Sequence, residues 1–305
     1  MGRRAGSAVV WQALQLGGVK SIFLVRLLIL AHLLLPSDFG LLAMAAIALD
    51  FLLDLTNLGL QPALIQRDRL SERHYHAAWT VGVLRAAGIA LIVVLAAPAV
   101  AELFAEPRAT NVIRWIGLRP LLQALASPRI VDLARELRFK ALAFLRLTEA
   151  IVASVVAIAL ASRFGVWALV FGVLSGPVVF ALLSYVVVPH RPRVVVEREA
   201  FGTLMSFGKW VLVAGVAAML GRTFLQATIS RRLGAADLGL YFLASKLAFL
   251  PADVAGEVFG NVAFPMFSRI KANRAKTANA FRGLLLGIAA LLVPPLALIF
   301  LLAPS

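Results

Sequence analysis

Apolar runs of about twenty residues recur along the whole chain, separated by short polar stretches rich in Arg, Pro and Gly. As helices, such runs cross a hydrocarbon core of roughly 30 Å at ~1.5 Å per residue. The pattern predicts nine spans, at 8–34, 39–64, 77–99, 112–130, 139–162, 166–188, 204–229, 238–266 and 281–302. Barrel strands would show short alternating segments instead, so the predicted fold class is an all-α polytopic membrane protein.

The second span is the most informative. It opens on Pro36-Ser37-Asp38-Phe39-Gly40 and carries Asp50, Asp54, Asn57 and Gln61. At 100° per residue these four fall at roughly 0°, +40°, −20° and +20°, a single polar stripe on an apolar helix. A carboxylate near the bilayer centre costs roughly 2.5–3.5 kcal/mol on insertion scales, so the stripe should face a polar interior.

The eighth span repeats this design. A shift of 199 residues lays Trp11 on Trp210, Asp38 on Asp237, Gly40 on Gly239 and Asp54 on Asp253. Lys246, Asp253 and Glu257 then fall at roughly 0°, −20° and +20°. Pro251 beside them predicts a kink or unwound turn. The matched spans share one predicted direction, which describes a parallel repeat about an axis along the membrane normal. Residues 1–199 form a six-helix lobe in this reading, and residues 200–305 the first three helices of a second, incomplete lobe. A further three helices are expected beyond Ser305.

Charge fixes an orientation. The N-terminus and the segments after even-numbered spans, with the span ends that flank them, hold 17 Lys and Arg residues, against four after spans one, three, five and seven. The positive-inside rule places the N-terminus and the basic loops in the cytoplasm. The same alternation explains the net charge of +15 without nucleic acid as a partner. Cysteine is absent, which removes thiolate metal sites, cysteine nucleophiles and disulfides. No P-loop, dinucleotide or nucleophile-elbow fingerprint appears, and no enzyme is predicted. His74-x-His76 beside Glu72 is read as a loop pair short of further ligands, so no metal site or cofactor is expected.

The candidate chemistry lies inside the spans. Lys20, Arg26, Arg85, Arg119, Arg146, Arg222 and Lys246 are cationic positions that could line an interior cavity. Asp50, Asp54, Glu149, Asp253 and Glu257 are fewer, so pairing cannot neutralise all of the cations. An excess of buried positive charge points to an anionic ligand. The acids have two readings: coupling sites for H+ or Na+, or counter-charges paired with Lys20, Arg26 or Lys246. Arg146 and Glu149, three apart on one helix, can pair with each other.

Several segments resemble the bacterial polysaccharide and oligosaccharide flippases of the multidrug/oligosaccharidyl-lipid/polysaccharide exporter superfamily. They are Leu33-Leu34-Leu35-Pro36-Ser37-Asp38-Phe39-Gly40-Leu41, Asn57-Leu58-Gly59-Leu60, Ala63-Leu64-Ile65-Gln66-Arg67 and Arg135-Glu136-Leu137-Arg138-Phe139-Lys140. Gly165-Val166-Trp167-Ala168-Leu169-Val170, Leu233-Gly234 and Phe264-Pro265-Met266-Phe267-Ser268-Arg269 extend the likeness along the chain. The resemblance implies two six-helix lobes around a cavity that opens alternately to either side of the bacterial inner membrane. It implies a polyprenyl-pyrophosphate-linked oligosaccharide as cargo, membrane lipids as surroundings, and polysaccharide polymerase and glycosyltransferases as candidate partners. Related lipid flippases use cationic cavity residues for the pyrophosphate, and Arg26 matches such a position best. Where the family often has Arg before the Leu-Leu-x-Pro turn, this chain has His32. The alternatives are a multidrug exporter of the same superfamily, a membrane-embedded glycosyl- or acyltransferase, and a truncated chain without transport activity.

Overall fold

The computed structural model describes residues 2–55, 72–136, 138–194 and 223–258, and single positions at 282, 286, 289 and 293. Its bounded helices are α1 (Gly2–Leu33), α2 (Pro36–Leu55), α3 (Glu72–Leu103), α4 (Ala109–Ile116), α5 (Arg119–Ala124), α6 (Ile130–Arg135), α7 (Phe139–Phe164), α8 (Val166–Val187) and α9 (Ala235–Val258). Residues 223–233 are also helical, and no strand occurs among the described residues. Among the described residues, five stretches are long and apolar enough to cross a membrane: Leu14–Leu33, Glu72–Leu103, Phe139–Phe164, Val166–Val187 and Ala235–Asp253. They fall on the first, third, fifth, sixth and eighth expected spans. Exposed Leu91, Leu95, Leu182 and Val186 give these helices an apolar outer surface suited to lipid. The chain is a multi-pass helical membrane protein.

Two expectations change. The fourth span, 112–130, is not one helix: α4 stops at Ile116 and α5 starts at Arg119. Pro120 explains the break, because its ring collides with the carbonyl four residues back, at Ile116, and it offers no N–H. The unwound turn expected at Pro251 does not form, since α9 continues through it to Val258. Most of the seventh and ninth spans lies outside the described residues.

The chain divides into two compact units, Met1–Leu240 and Tyr241–Ser305. In the first, α7 and α8 form the closest pairing, with α1 laid along α7. The α7–α8 turn hinges on Gly165, whose φ of +52° disfavours any residue with a Cβ. The loop before α7 packs inward. Its α6 buries Val131 and Leu133, and Leu133 joins Leu145, Phe180 and Val188 in a common core.

A small buried polar knot fastens this end. Ser127 N–H donates to Ser184 Oγ at 2.8 Å, Ser184 Oγ donates to Ala181 O at 2.6 Å, and Ser127 Oγ donates to Val188 O at 2.9 Å. Ser184→Ala leaves the Ser127 amide buried without an acceptor, which costs about 1–3 kcal/mol. A thermal melt of the purified protein should fall by several degrees; an unchanged melt would contradict this account.

The start of α2 explains the Pro-Ser-Asp-Phe-Gly segment. Pro36 is the first helical residue, where its missing N–H costs nothing. Asp38 reaches back so that its Oδ2 accepts the Leu35 N–H at 3.2 Å, half of a capping box. One turn in, α2 crosses the start of α9 with no room for side chains. A Cβ on Gly40 would lie 1.9 Å from Ala235 O, and one on Gly239 would lie 1.8 Å from Pro36 O. The contact is reciprocal: the 199-residue shift carries Pro36 onto Ala235 and Gly40 onto Gly239. It also carries Phe39 onto Leu238, both fully buried.

Candidate functional site

The cationic set separates into groups that are already engaged and groups that are not. Arg146 bonds Glu149 (Nη1 to Oε2, 3.0 Å) and lies 4.3 Å over the Phe180 ring, so its charge is locally compensated. Arg85 donates from Nη2 to Leu53 O at 3.1 Å, tying α3 to α2. Lys20 is half-buried on α1. Lys246 is exposed on α9, with its ammonium 5.3 Å over Phe242. Arg222 lies outside the described residues.

Arg26 and Arg119 are the exception. Arg26 is half-buried on α1, its guanidinium 5.3 Å over Phe23, and the charge of Arg119 at the start of α5 acts directly upon it. Among the described residues, no carboxylate forms a salt bridge with either. The break at Pro120 is what leaves Arg119 at a helix start instead of inside a continuous span. Two cations that repel each other, with no salt bridge to a carboxylate among the described residues, are an unfavourable arrangement for an empty protein. They suit a ligand that carries at least two negative charges.

Asp50 and Asp253 are exposed, and Glu149 is held by Arg146. The side chains of Asp54 and Glu257 lie outside the description.

A second polar cluster was missed. Glu72 and His76 occupy one face at the start of α3, four residues apart, and His190 comes to them from the segment after α8. One ligand atom of each lies within 4.8 Å of the other two. Glu72 also pairs with Arg129, and its Oε2 is 3.6 Å from His190 Nδ1. The His76 and His190 rings stack at 5.0 Å, and His76 Nδ1 accepts the Arg193 N–H at 3.1 Å. Tyr75 OH donates to Asp132 Oδ1 at 2.6 Å and lies under Arg129. Burial, followed by the charges of Arg129 and His76, pushes the His190 imidazole below its ordinary pKa. The sequence reading paired His74 with His76. The better signal was Glu72 with His76, at the i, i+4 helical spacing, but nothing local pointed to His190.

The profile of the polysaccharide biosynthesis protein family matches residues 29–305. The chain is 26% identical over 273 residues to the succinoglycan biosynthesis transport protein of Rhizobium meliloti (strain 1021), covering 89% of this chain and 55% of the relative. It is 22% identical over 294 residues to a lipopolysaccharide biosynthesis protein of Escherichia coli (strain K12), covering 92% and 57%. It is 22% identical over 228 residues to a teichuronic acid biosynthesis protein of Bacillus subtilis (strain 168), covering 74% and 47%. The chain thus spans about half the length of these curated relatives. No solved structure matches it.

Proposed function

The chain belongs to the polysaccharide biosynthesis protein family, and from that premise we propose that it moves a polyprenyl-pyrophosphate-linked oligosaccharide from the cytoplasmic to the outer leaflet of the bacterial inner membrane. The observation that carries the reading is that Arg26 feels the charge of Arg119 and that neither forms a salt bridge among the described residues. A pyrophosphate presents several oxygens to guanidinium forks, and a low-dielectric surrounding strengthens each contact. The R. meliloti relative's name, a transport protein of succinoglycan biosynthesis, supports transport as the activity.

In this reading no bond of the cargo is made or broken. Residues 1–199 and 200–305 belong to two repeat-related lobes that rock about the cavity, with the N-terminus in the cytoplasm. The exposed carboxylates Asp50 and Asp253 serve as counter-charges or as H+ or Na+ sites. Polymerase and glycosyltransferases of the same pathway are its expected partners. A multidrug exporter, whose cargo is usually cationic, is disfavoured by the paired guanidinium groups.

The test is export of lipid-linked glycan in cells that carry this chain as their sole flippase. Arg26→Ala and Arg119→Ala should each cut export by at least tenfold at unchanged membrane abundance. Full export by both variants would sink the proposal.

A further inference from the structure

The Glu72–His76–His190 cluster shares no residue with the cations assigned to the cargo and has no role in the transport reading. We propose that it is a binding site for a divalent transition metal ion of the zinc class. The donor set, one carboxylate and two imidazoles, is one that zinc uses with an open fourth position. Tetrahedral bonds of about 2.0–2.1 Å put neighbouring ligand atoms roughly 3.3 Å apart. The observed 3.6 Å between Glu72 Oε2 and His190 Nδ1 is close to that edge. The widest separation in the trio, at most 4.8 Å, closes by a modest turn of Glu72 or His76, both on the first turns of α3.

Two further observations bear on a ligand here. The His190 side chain is only 6% exposed, so its ring is held in place with Nδ1 turned toward Glu72. A neutral imidazole has one lone pair to give, and at His190 the nitrogen near Glu72 is the one placed to give it. The other nitrogen then carries the proton. Arg129 holds the carboxylate of Glu72, which fixes its direction in the manner of an outer-shell partner. Its positive charge also opposes the ion, so the expected affinity is moderate, in the micromolar range, and not that of a closed structural site.

Ligation carries a cost that makes the site a coupling device. His76 Nδ1 accepts the backbone N–H of Arg193, so the proton of that ring sits on Nε2. Metal binding at Nδ1 replaces this hydrogen bond. Binding at Nε2 requires the proton to move to Nδ1, which ends its role as acceptor. Either way, the ion competes with the docking of residue 193 on α3, to which Thr80 also contributes through Arg193 O at 3.5 Å. Occupancy therefore sets whether the segment after α8 is clasped to the start of α3.

The experiment uses the purified full chain in lipid nanodiscs, with Zn2+ titrated against a chromophoric chelator and Co2+ as an optical reporter. The wild type should bind one ion per chain and give ligand-field bands with Co2+. His76→Gln, His190→Gln and Glu72→Gln should each weaken binding at least tenfold, whereas His74→Gln should bind as the wild type does. A wild type with no saturable binding and no Co2+ bands overturns the proposal, whatever the variants do. So does a His74→Gln loss equal to that of His76→Gln. Because the wild-type spectrum decides alone, a variant that fails to fold leaves the test intact.

Discussion

Alanine at Gly40 is expected to destabilise the protein by about 1–3 kcal/mol, the usual range for forced overpacking, and alanine at Gly239 by a similar amount. Each new methyl would sit within 2 Å of a carbonyl oxygen on the facing helix, at Ala235 or Pro36. These neighbours are backbone atoms, so no rotamer change can make room; the helices must part. Parting them uncovers Phe39 and Leu238, which are 2% and 0% exposed. The two substitutions act on one crossing, so the double variant should cost clearly less than the sum of the singles. Thermal unfolding of the purified protein measures all three. Two alanine variants that melt within a degree of the parent would contradict the zero-clearance crossing. Leucine at either position should also abolish glycan export, since no small shift of the helices accommodates it.

The second large effect has opposite signs on stability and on binding. Arg119→Gln removes one of two cations that act on each other across α1 and α5. The empty protein should become slightly more stable, by less than about 1 kcal/mol, because Arg119 is exposed and its field is screened. Affinity for a polyprenyl pyrophosphate should fall by ten- to a hundredfold, as charge-assisted contacts to phosphate contribute roughly 1.5–3 kcal/mol each. Arg119→Lys should keep the repulsion and restore part of the affinity, since an ammonium supplies charge without the planar fork. Binding measured with pyrophosphate and monophosphate lipids, alongside melting curves, separates the two effects. If Arg119→Gln lowers stability and leaves binding intact, the residue is structural and the site lies elsewhere.

What could be read from the chain depended on range. Helices at the first, third, fifth, sixth and eighth spans follow from apolar length alone. The 199-residue shift was visible because Asp38-Phe39-Gly40 and Asp237-Leu238-Gly239 are local strings with the same chemistry. Their mutual contact could not be read, because spacing says that two helices are alike and not that they touch. The break between α4 and α5 was present as Gly117 and Pro120 but was hidden by the hydropathy of the surrounding run. Arg146 with Glu149 was legible through its i, i+3 spacing. His190 was not, since only the return of α8 to the start of α3 brings it to His76. Asp50, Arg119, Lys246 and Asp253 are exposed on their helices, and periodicity gives a helix face and not what that face meets.

The end of α3 has a consequence for how the gene could be divided. Its last carbonyls, at Glu102, Leu103 and Phe104, receive Arg231 Nη2 at 3.1 Å, Arg231 Nε at 2.6 Å and Ser230 Oγ at 2.7 Å. A helix C-terminus needs such donors, and a cation there also meets the negative end of the dipole. These donors come from beyond residue 199, the limit of the first repeat. A fragment ending at that limit would therefore leave Leu103 O and Phe104 O open, while Glu102 O keeps the Ala105 N–H at 3.0 Å. Reassembly from two separately expressed pieces would begin by refilling them, with Ser230 and Arg231 as the splint.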